Sequence, residues 1–256
     1  FWGVHLAAFI GIVVYGWNIE SLLCCILLYI VRMFGVTAGY HRYFSHRSFK
    51  TSRVFAFFLA LLAQSSGQRG VIWWARNHRH HHRYSDKPQD LHSPQQNGFW
   101  HAHIGWIFHN DAYEAHKNVS DLERCWELRL LDRYPMMPAI ILGFVCWFIL
   151  DWPGLFVGFF LSTVFLFHGT FTINSLAHVW GSRRYQTRDT SRNNWFLALL
   201  TLGEGWHNNH HHYMRSARQG FFWWEFDPTY YALIVLSWMQ LVWDLREVPD
   251  NVKKSA

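Results

Sequence analysis

Histidines carry the chemistry that this sequence advertises. His207, His210 and His211 stand at i, i+3 and i+4 in Gly203-Glu204-Gly205-Trp206-His207-Asn208-Asn209-His210-His211-His212. On a helix, side chains at that spacing share one face, so the three imidazoles can converge on metal. The same spacing recurs at His78, His81 and His82. A third cluster is His41 and His46, in His41-Arg42-Tyr43-Phe44-Ser45-His46. His178, four residues after Asn174, is a candidate ninth donor beside these eight. One zinc takes about four ligands, so eight or nine suffice for two first-row ions. Imidazole suits iron, copper, nickel and zinc alike, so donor type alone does not choose the metal.

Carboxylates can hold such ligands in place by accepting the second ring N–H, and Asp86, Asp90, Asp189 and Glu204 are candidates. The bland explanation for a histidine, a solvated or hydrogen-bonded side chain, is preferred for His5, His92, His101, His103, His109, His116 and His168. His80 and His212 are expected to point off the ligand face. A zinc-buffering loop is the bland rival for the clusters, but it would not need the regular spacing twice.

The elements that position these clusters are set by composition. About half of the 256 residues are apolar, 19% are aromatic and only 16% are charged. That charge content is well below a soluble domain's usual quarter. Residues 1–40 contain one basic residue, Arg32, and residues 135–178 contain none. The net charge of +6 therefore sits between and after the apolar blocks. By the positive-inside rule those charged regions face the cytoplasm, and they suit lipid headgroups or an acidic redox partner rather than nucleic acid.

Residues 1–17 and 21–40 read as one apolar hairpin, with the turn at Asn18-Ile19-Glu20 outside. Residues 135–150 and 155–177 read as a second, turning at Asp151-Trp152-Pro153-Gly154. Arg32, near the middle of an apolar run, is expected to face protein. Residues 52–67 suit a buried or re-entrant helix, 99–108 an interfacial segment, and 111–133 a solvated helix. Residues 220–245 form an aromatic amphipathic stretch, whose Trp223 and Trp224 suit a membrane-interface belt. Cys24, Cys25, Cys125 and Cys146 form no CxxC pair, against a thiolate zinc site.

The expected fold is all-α and integral to the membrane. It has four transmembrane helices in two hairpins, about 1–40 and 135–178, under a cytosolic helical cap of 41–134 and 179–256. The cap holds a histidine-rich di-metal site, and residues 1–256 make one domain. The chain begins inside an apolar run, which predicts that residues precede Phe1.

The ordered set HxxxxH, HxxHH, NxxxH and HxxHH resembles the membrane-bound fatty acyl desaturases of the delta-9, stearoyl-CoA desaturase-like type. It runs through Thr37-Ala38-Gly39-Tyr40-His41, Trp74-Ala75-Arg76-Asn77-His78, Asn174-Ser175-Leu176-Ala177-His178 and Gly203-Glu204-Gly205-Trp206-His207. Ser216-Ala217-Arg218-Gln219-Gly220 and Trp223-Trp224-Glu225 resemble the bacterial and plastid branch. The resemblance implies a non-haem di-iron enzyme. His41, His46, His78, His81, His82, His178, His207, His210 and His211 would bind two irons, and Asn174 would reach one through water. O₂ would be the co-substrate. A cis double bond would enter a saturated acyl chain carried on lipid or CoA, with electrons from a ferredoxin-like or cytochrome b5-like donor.

The same resemblance puts Gln68, Thr170 and Phe171 at a kink in the substrate tunnel beside the irons. It puts Arg76 and Asn77 at the acyl headgroup. Asn110 and Asp111 stand where animal members carry an Arg-Lys pair, which favours acyl lipid over CoA phosphates. The implied location is a bacterial inner membrane, with the active site on the cytoplasmic side. Two rivals remain: a di-iron fatty-acyl or alkane hydroxylase, and a non-catalytic metal-binding or transport protein. The second would need ionisable residues along the spans.

Overall fold

The computed structural model describes residues 1–109 and 119–255. Asn110, Asp111 and His116 therefore lie outside the described residues. Helix α1 (Trp2–Tyr15) is followed by α2 (Ile19–Phe34), which begins in a capping box. Asn18 Oδ1 accepts from Ser21 N (2.8 Å), and Ser21 Oγ accepts from Asn18 N (3.1 Å). The helix does not stop at Phe34. It rewinds as a π-helix, Gly35–Ser45, so that Ile19–Ser45 is one apolar run of 27 residues.

Arg32 lies within that run, fully buried. Its guanidinium donates to Ser162 Oγ (2.5 Å), Thr163 Oγ1 (2.8 Å) and the carbonyl of Ser65 (3.3 Å). A charge in an apolar span must find such polar partners inside the protein. Here it ties α2 to the second apolar block, as its sequence position predicts.

That block runs from α6 (Met137–Pro153) through a π-helical Gly154–Leu161 into α7 (Ser162–Asn174) and the short turn Leu176–Val179. The 43 residues from Met137 to Val179 would measure about 64 Å if straight, roughly twice a bilayer core. The backbone instead reverses at Leu150 and Asp151, where Asp151 takes φ 54°. Past the reversal, Leu155 and Phe159 pack on Gly143. Among the described residues, two helical runs are thus long and apolar enough to cross a membrane, Ile19–Ser45 and Met137–Val179. At 14 residues, α1 spans about 21 Å, less than a bilayer core.

Between the two blocks lie α3 (Arg53–Gln64), α4 (Val71–Tyr84) and α5 (Trp126–Arg133). Helix α3 buries Ala56, Leu59, Ala60 and Ala63 against the π-helix, as expected of a buried rather than spanning segment. The solvated helix expected over 111–133 is corrected. Its described part is two short helices, Ser120–Glu123 and α5, which bury Leu122, Leu128 and Leu131 in the same core. The charged side chains mask an apolar stripe. Helix α8 (His207–His212) is a turn and a half, and α9 (Pro228–Trp238) closes the cap. The described chain is mostly helical, as expected, with one short ladder. Lys50–Thr51 (β1) pairs antiparallel with Val242–Trp243 (β2), stitching the start of the cap to its end. Trp223 and Trp224 are exposed, as a belt requires.

Candidate metal centre and substrate cavity

Nine histidines from four segments meet in two adjacent groups. His41, His46, His78, His82 and His210 form one, and His81, His178, His207 and His211 the other. Within each group the donor atoms lie within 4.8 Å of one another. The HxxHH triplets do not converge on one point, as their shared helix face suggested. His78 and His82 enter the first group and His81 the second, while His207 and His211 enter the second and His210 the first. Residues i and i+4 are about 40° apart around a helix, whereas i+3 lies about 100° from i+4. Each triplet therefore straddles two centres.

The HxxxxH pair is brought together by the π-helix. On an α-helix, residues five apart would diverge by about 140°. Here His46 N donates to His41 O (3.2 Å), the i→i+5 bond of π winding, and the two rings sit 4.8 Å apart. On the other side, Gly203 (φ 116°) and Gly205 let the loop before α8 press against Asp227 and Ala198, where a Cβ would collide. That approach delivers Glu204 to His41.

All four carboxylates singled out in the sequence support a ring nitrogen. His41 Nδ1 is 2.6 Å from Glu204, His81 Nδ1 3.0 Å from Asp90 and His211 Nδ1 2.6 Å from Asp189. His178 Nδ1 is 3.2 Å from Thr190 Oγ1 and 3.4 Å from Asp86. Holding Nδ1–H in this way leaves Nε2 with its lone pair aimed inward. In the first group the Nε2 atoms stand in series. His41 to His210 is 3.0 Å, His210 to His82 2.8 Å, His82 to His78 3.0 Å, and His78 to His46 2.7 Å. Ligands at right angles around an ion at about 2.1 Å are spaced roughly 3.0 Å apart.

Electrostatics agree. Burial, then the neighbouring imidazoles, push His46, His78, His82 and His210 well below the ordinary histidine pKa. Burial takes His211 to about 4 against the pull of Asp189. His81 is the exception, since Asp90 and its neighbours outweigh burial and raise it. For Asp189, burial favours the acid, but the hydrogen bond and charge of His211 outweigh it and hold the carboxyl well below its usual range. The buried Nε2 of His211 has no hydrogen-bond partner within the protein. Neutral imidazoles with converging lone pairs are what first-row metal ions require, so the residues present fit two such ions.

Some contributors carried no recognisable signal in the sequence. Asn208 and Asn209 face away from the donors and anchor α8. Asn208 Oδ1 accepts from Tyr185 N (2.7 Å), and Asn209 Nδ2 donates to Glu225 (2.9 Å). Arg42, fully buried, bridges Glu204 and Asp227. His92 packs on His81 with ring centroids 4.3 Å apart. His80 turns to Gln89 O (2.8 Å), and His212 stacks on Tyr185, both off the site as expected.

A chain of cavities leads away from the donors. The innermost, about 40 Å³, touches His78, His92, Asn77, Thr170, Phe171 and Asn174. It shares Gln68, Trp73, Trp74, Trp106 and Phe171 with a second of about 270 Å³. That one shares Gly67, Met136 and Phe167 with a third of about 440 Å³, almost wholly apolar, reaching Trp147 and Trp152. Gln68 Nε2 donates to Thr170 Oγ1 (2.9 Å) at the inner junction, beside Phe171. Arg76 is engaged by Glu123 (3.0 Å), and Asn77 is buried, donating to Trp73 O (2.9 Å).

Comparison with known proteins gives the class. The fatty acid desaturase family profile matches residues 18–241. The chain is 37% identical over 252 residues to the sn-2 palmitoyl-lipid 9-desaturase of Nostoc sp. (strain 36), covering 94% of this chain and 86% of that one. It is 36% identical over 239 residues to delta-9 acyl-lipid desaturase 1 of Arabidopsis thaliana, covering 91% and 78%. Against the acyl-CoA C20 delta5-desaturase of Anemone leveillei it is 35% identical over 257 residues, covering 98% and 81%. The chain belongs to the fatty acid desaturase family. It is an oxidoreductase of that class, acting on fatty acyl chains.

Proposed function

We propose that this protein is an O₂-dependent, di-iron delta-9 desaturase of saturated acyl chains esterified in membrane lipid. The observation that carries the reading is the juxtaposition of two carboxylate-supported histidine groups with an apolar cavity chain that starts at His78. His41, His46, His78, His82 and His210 would hold one iron. His81, His178, His207 and His211 would hold the other, with Asn174 reaching it through water. When bound, the irons supply O₂ activation and removal of hydrogen from an unactivated methylene pair.

The protein's own residues do the rest. Glu204, Asp90, Asp86 and Asp189 fix the tautomers and ring planes of their histidines. An acyl chain offers no polar handle, so position must come from cavity shape. The Gln68–Thr170 pair and Phe171 form the inner junction where the chain would bend. Arg76 already pairs with Glu123 and Asn77 turns inward, which favours a lipid-borne chain over the phosphates of CoA.

In this reading the apolar blocks make two hairpins and four spans over 1–40 and 135–178 within a single domain of 1–256, the short α1 being matched by local thinning of the bilayer. The outward faces of Phe9, Val13, Phe148 and Ile149 are exposed, as lipid contact needs. The basic cap faces the cytoplasm of a bacterial inner membrane and meets a ferredoxin-like or cytochrome b5-like donor.

The test is fatty-acid analysis of a host without its own aerobic desaturase, with and without this chain. Double bonds are located by mass spectrometry and sorted by lipid class. New cis-monoenes at the ninth carbon, appearing first in membrane lipid, are expected. Hydroxylated chains would transfer the protein to the hydroxylases. Monoenes confined to the acyl-CoA pool would overturn the lipid assignment.

A further inference from the structure

Three histidines outside the two groups stand in line. His5 lies on α1, His168 on α7, and His103 on the short helix Phe99–His103. His5 Nε2 is 3.0 Å from His168 Nε2, His168 Nδ1 is 3.0 Å from His103 Nε2, and His103 Nδ1 is 2.8 Å from Ser175 Oγ. Both ends abut backbone carbonyls. His5 Nδ1 is 3.1 Å from Phe1 O, and Ser175 Oγ is 3.0 Å from Phe171 O. Read singly, these histidines invited the bland explanation. Together they form one string.

Hydrogen counting defines the string's chemistry. A carbonyl only accepts, a neutral imidazole carries one N–H and one lone pair, and a hydroxyl carries one O–H. Three neutral imidazoles and one hydroxyl therefore bring four hydrogens to five contacts. Polarised one way, Ser175 donates to His103 and the contact with Phe171 O has no hydrogen. Polarised the other way, the lone pair of His5 Nδ1 faces the carbonyl of Phe1. One added proton completes all five contacts. Such a string can load a proton at one end, pass it along and reset by reversing its polarity.

Burial works against a charge on His103 and lowers its pKa, so a held proton must be compensated by completing the string's hydrogen bonds. Among the described residues, none of the three histidines pairs with a carboxylate. His101, on the same short helix, turns instead to Leu91 O (3.1 Å) and the ring of His109. Tyr29 of α2 packs by Gly169, but its hydroxyl donates to Leu200 O. The ring of Phe1 lies 4.3 Å from His5 and 5.9 Å from His168, close enough to favour a delocalised cation. Phe171, whose carbonyl ends the string, also lines the two inner cavities, and Ser175 directly follows Asn174. Chains of ionisable groups inside a membrane protein commonly carry protons.

We propose that His5, His168, His103 and Ser175 form a proton wire that stores one proton beside the substrate cavity. The role in turnover rests on the desaturase reading. In that reaction a CH₂–CH₂ pair, O₂, two electrons from a one-electron carrier and two protons become CH=CH and two waters. The substrate supplies two hydrogens with their electrons. The other two protons come from cytosolic water and end in those two waters, and the string holds one of them in reserve, its inner end at Ser175 next to Asn174.

The test compares the full chain with His168→Phe, which cuts the wire, and with His168→Gln, which bridges without titrating. His5→Leu is the alternative cut if His168→Phe does not accumulate. Zinc-loaded, ¹⁵N-histidine-labelled protein in lipid bilayers at neutral pH should show an imidazolium signal by solid-state NMR that both His168 variants lose. With iron, the variants should keep the metal content of the parent but release several-fold more hydrogen peroxide per double bond. Spectra that do not differ, or an unchanged peroxide ratio, would overturn the wire. If the parent binds iron but makes no double bond, the desaturase reading fails. The NMR difference still decides whether the stored proton exists.

Discussion

At the residue scale, the decisive fact is that a ligand histidine has two nitrogens with separate tasks. In His41, His81, His178 and His211, Nδ1 faces a carboxylate and Nε2 is kept for the centre. His211 shows this most sharply, with Nδ1 2.6 Å from Asp189 and a buried Nε2 that meets no protein partner. His211→Ala should abolish desaturation and lower iron from two per chain toward one, while the protein still inserts in the membrane. Retained turnover would break the ligand assignment. Asp189→Asn keeps the shape but replaces the charged acceptor. Metal affinity or activity should fall by about 10–100-fold, the usual cost of losing such support. Competition with a chelator would measure it.

At the element scale, the helices that carry the histidines are held from outside themselves. Helix α4 has Gly70 at its N-cap, which offers no capping side chain. Asp132 of α5 supplies the cap, accepting from Ile72 N and Trp73 N at 3.1 Å each. Gly70 must be glycine because a Cβ would overlap that carboxylate. Asp132→Ala should therefore cost about 1 kcal/mol, as cap removal does. For a chain of this size that lowers the midpoint of thermal unfolding by roughly 2–4 °C. A scan in detergent with and without metal would read it, and an unchanged midpoint would show that the cap contributes nothing.

At the scale of the whole molecule, the apolar blocks enclose a path as well as anchoring the cap. Phe167 stands where the cavities of about 270 and 440 Å³ meet. It is buried and packs beside Gly67. Phe167→Trp should narrow that passage and shift the products toward shorter acyl chains, with iron content unchanged. Gas chromatography of the monoenes would show it. An unaltered chain-length profile would mean that the acyl chain does not pass between these cavities.

Much of this was legible before any fold was known, because ligand spacing and hydropathy are local properties. The HxxHH triplets, the Asn174–His178 pair, the four carboxylates and the apolar blocks could all be read along the chain. Arg32 could be assigned a protein-facing role because its charge has nowhere else to go in an apolar run. Other features depend on residues distant in sequence. The division of each triplet between two centres requires α4 and α8 to face each other, which no single helix encodes. The HxxxxH pair meets only because Gly35–Ser45 winds as a π-helix. Glu204 reaches His41 across 163 positions, held by Arg42 and Asp227. His5, His103 and His168 looked unrelated because their link is a hydrogen-bonded line across three helices. Periodicity reports which face a residue takes, but only packing decides what that face meets.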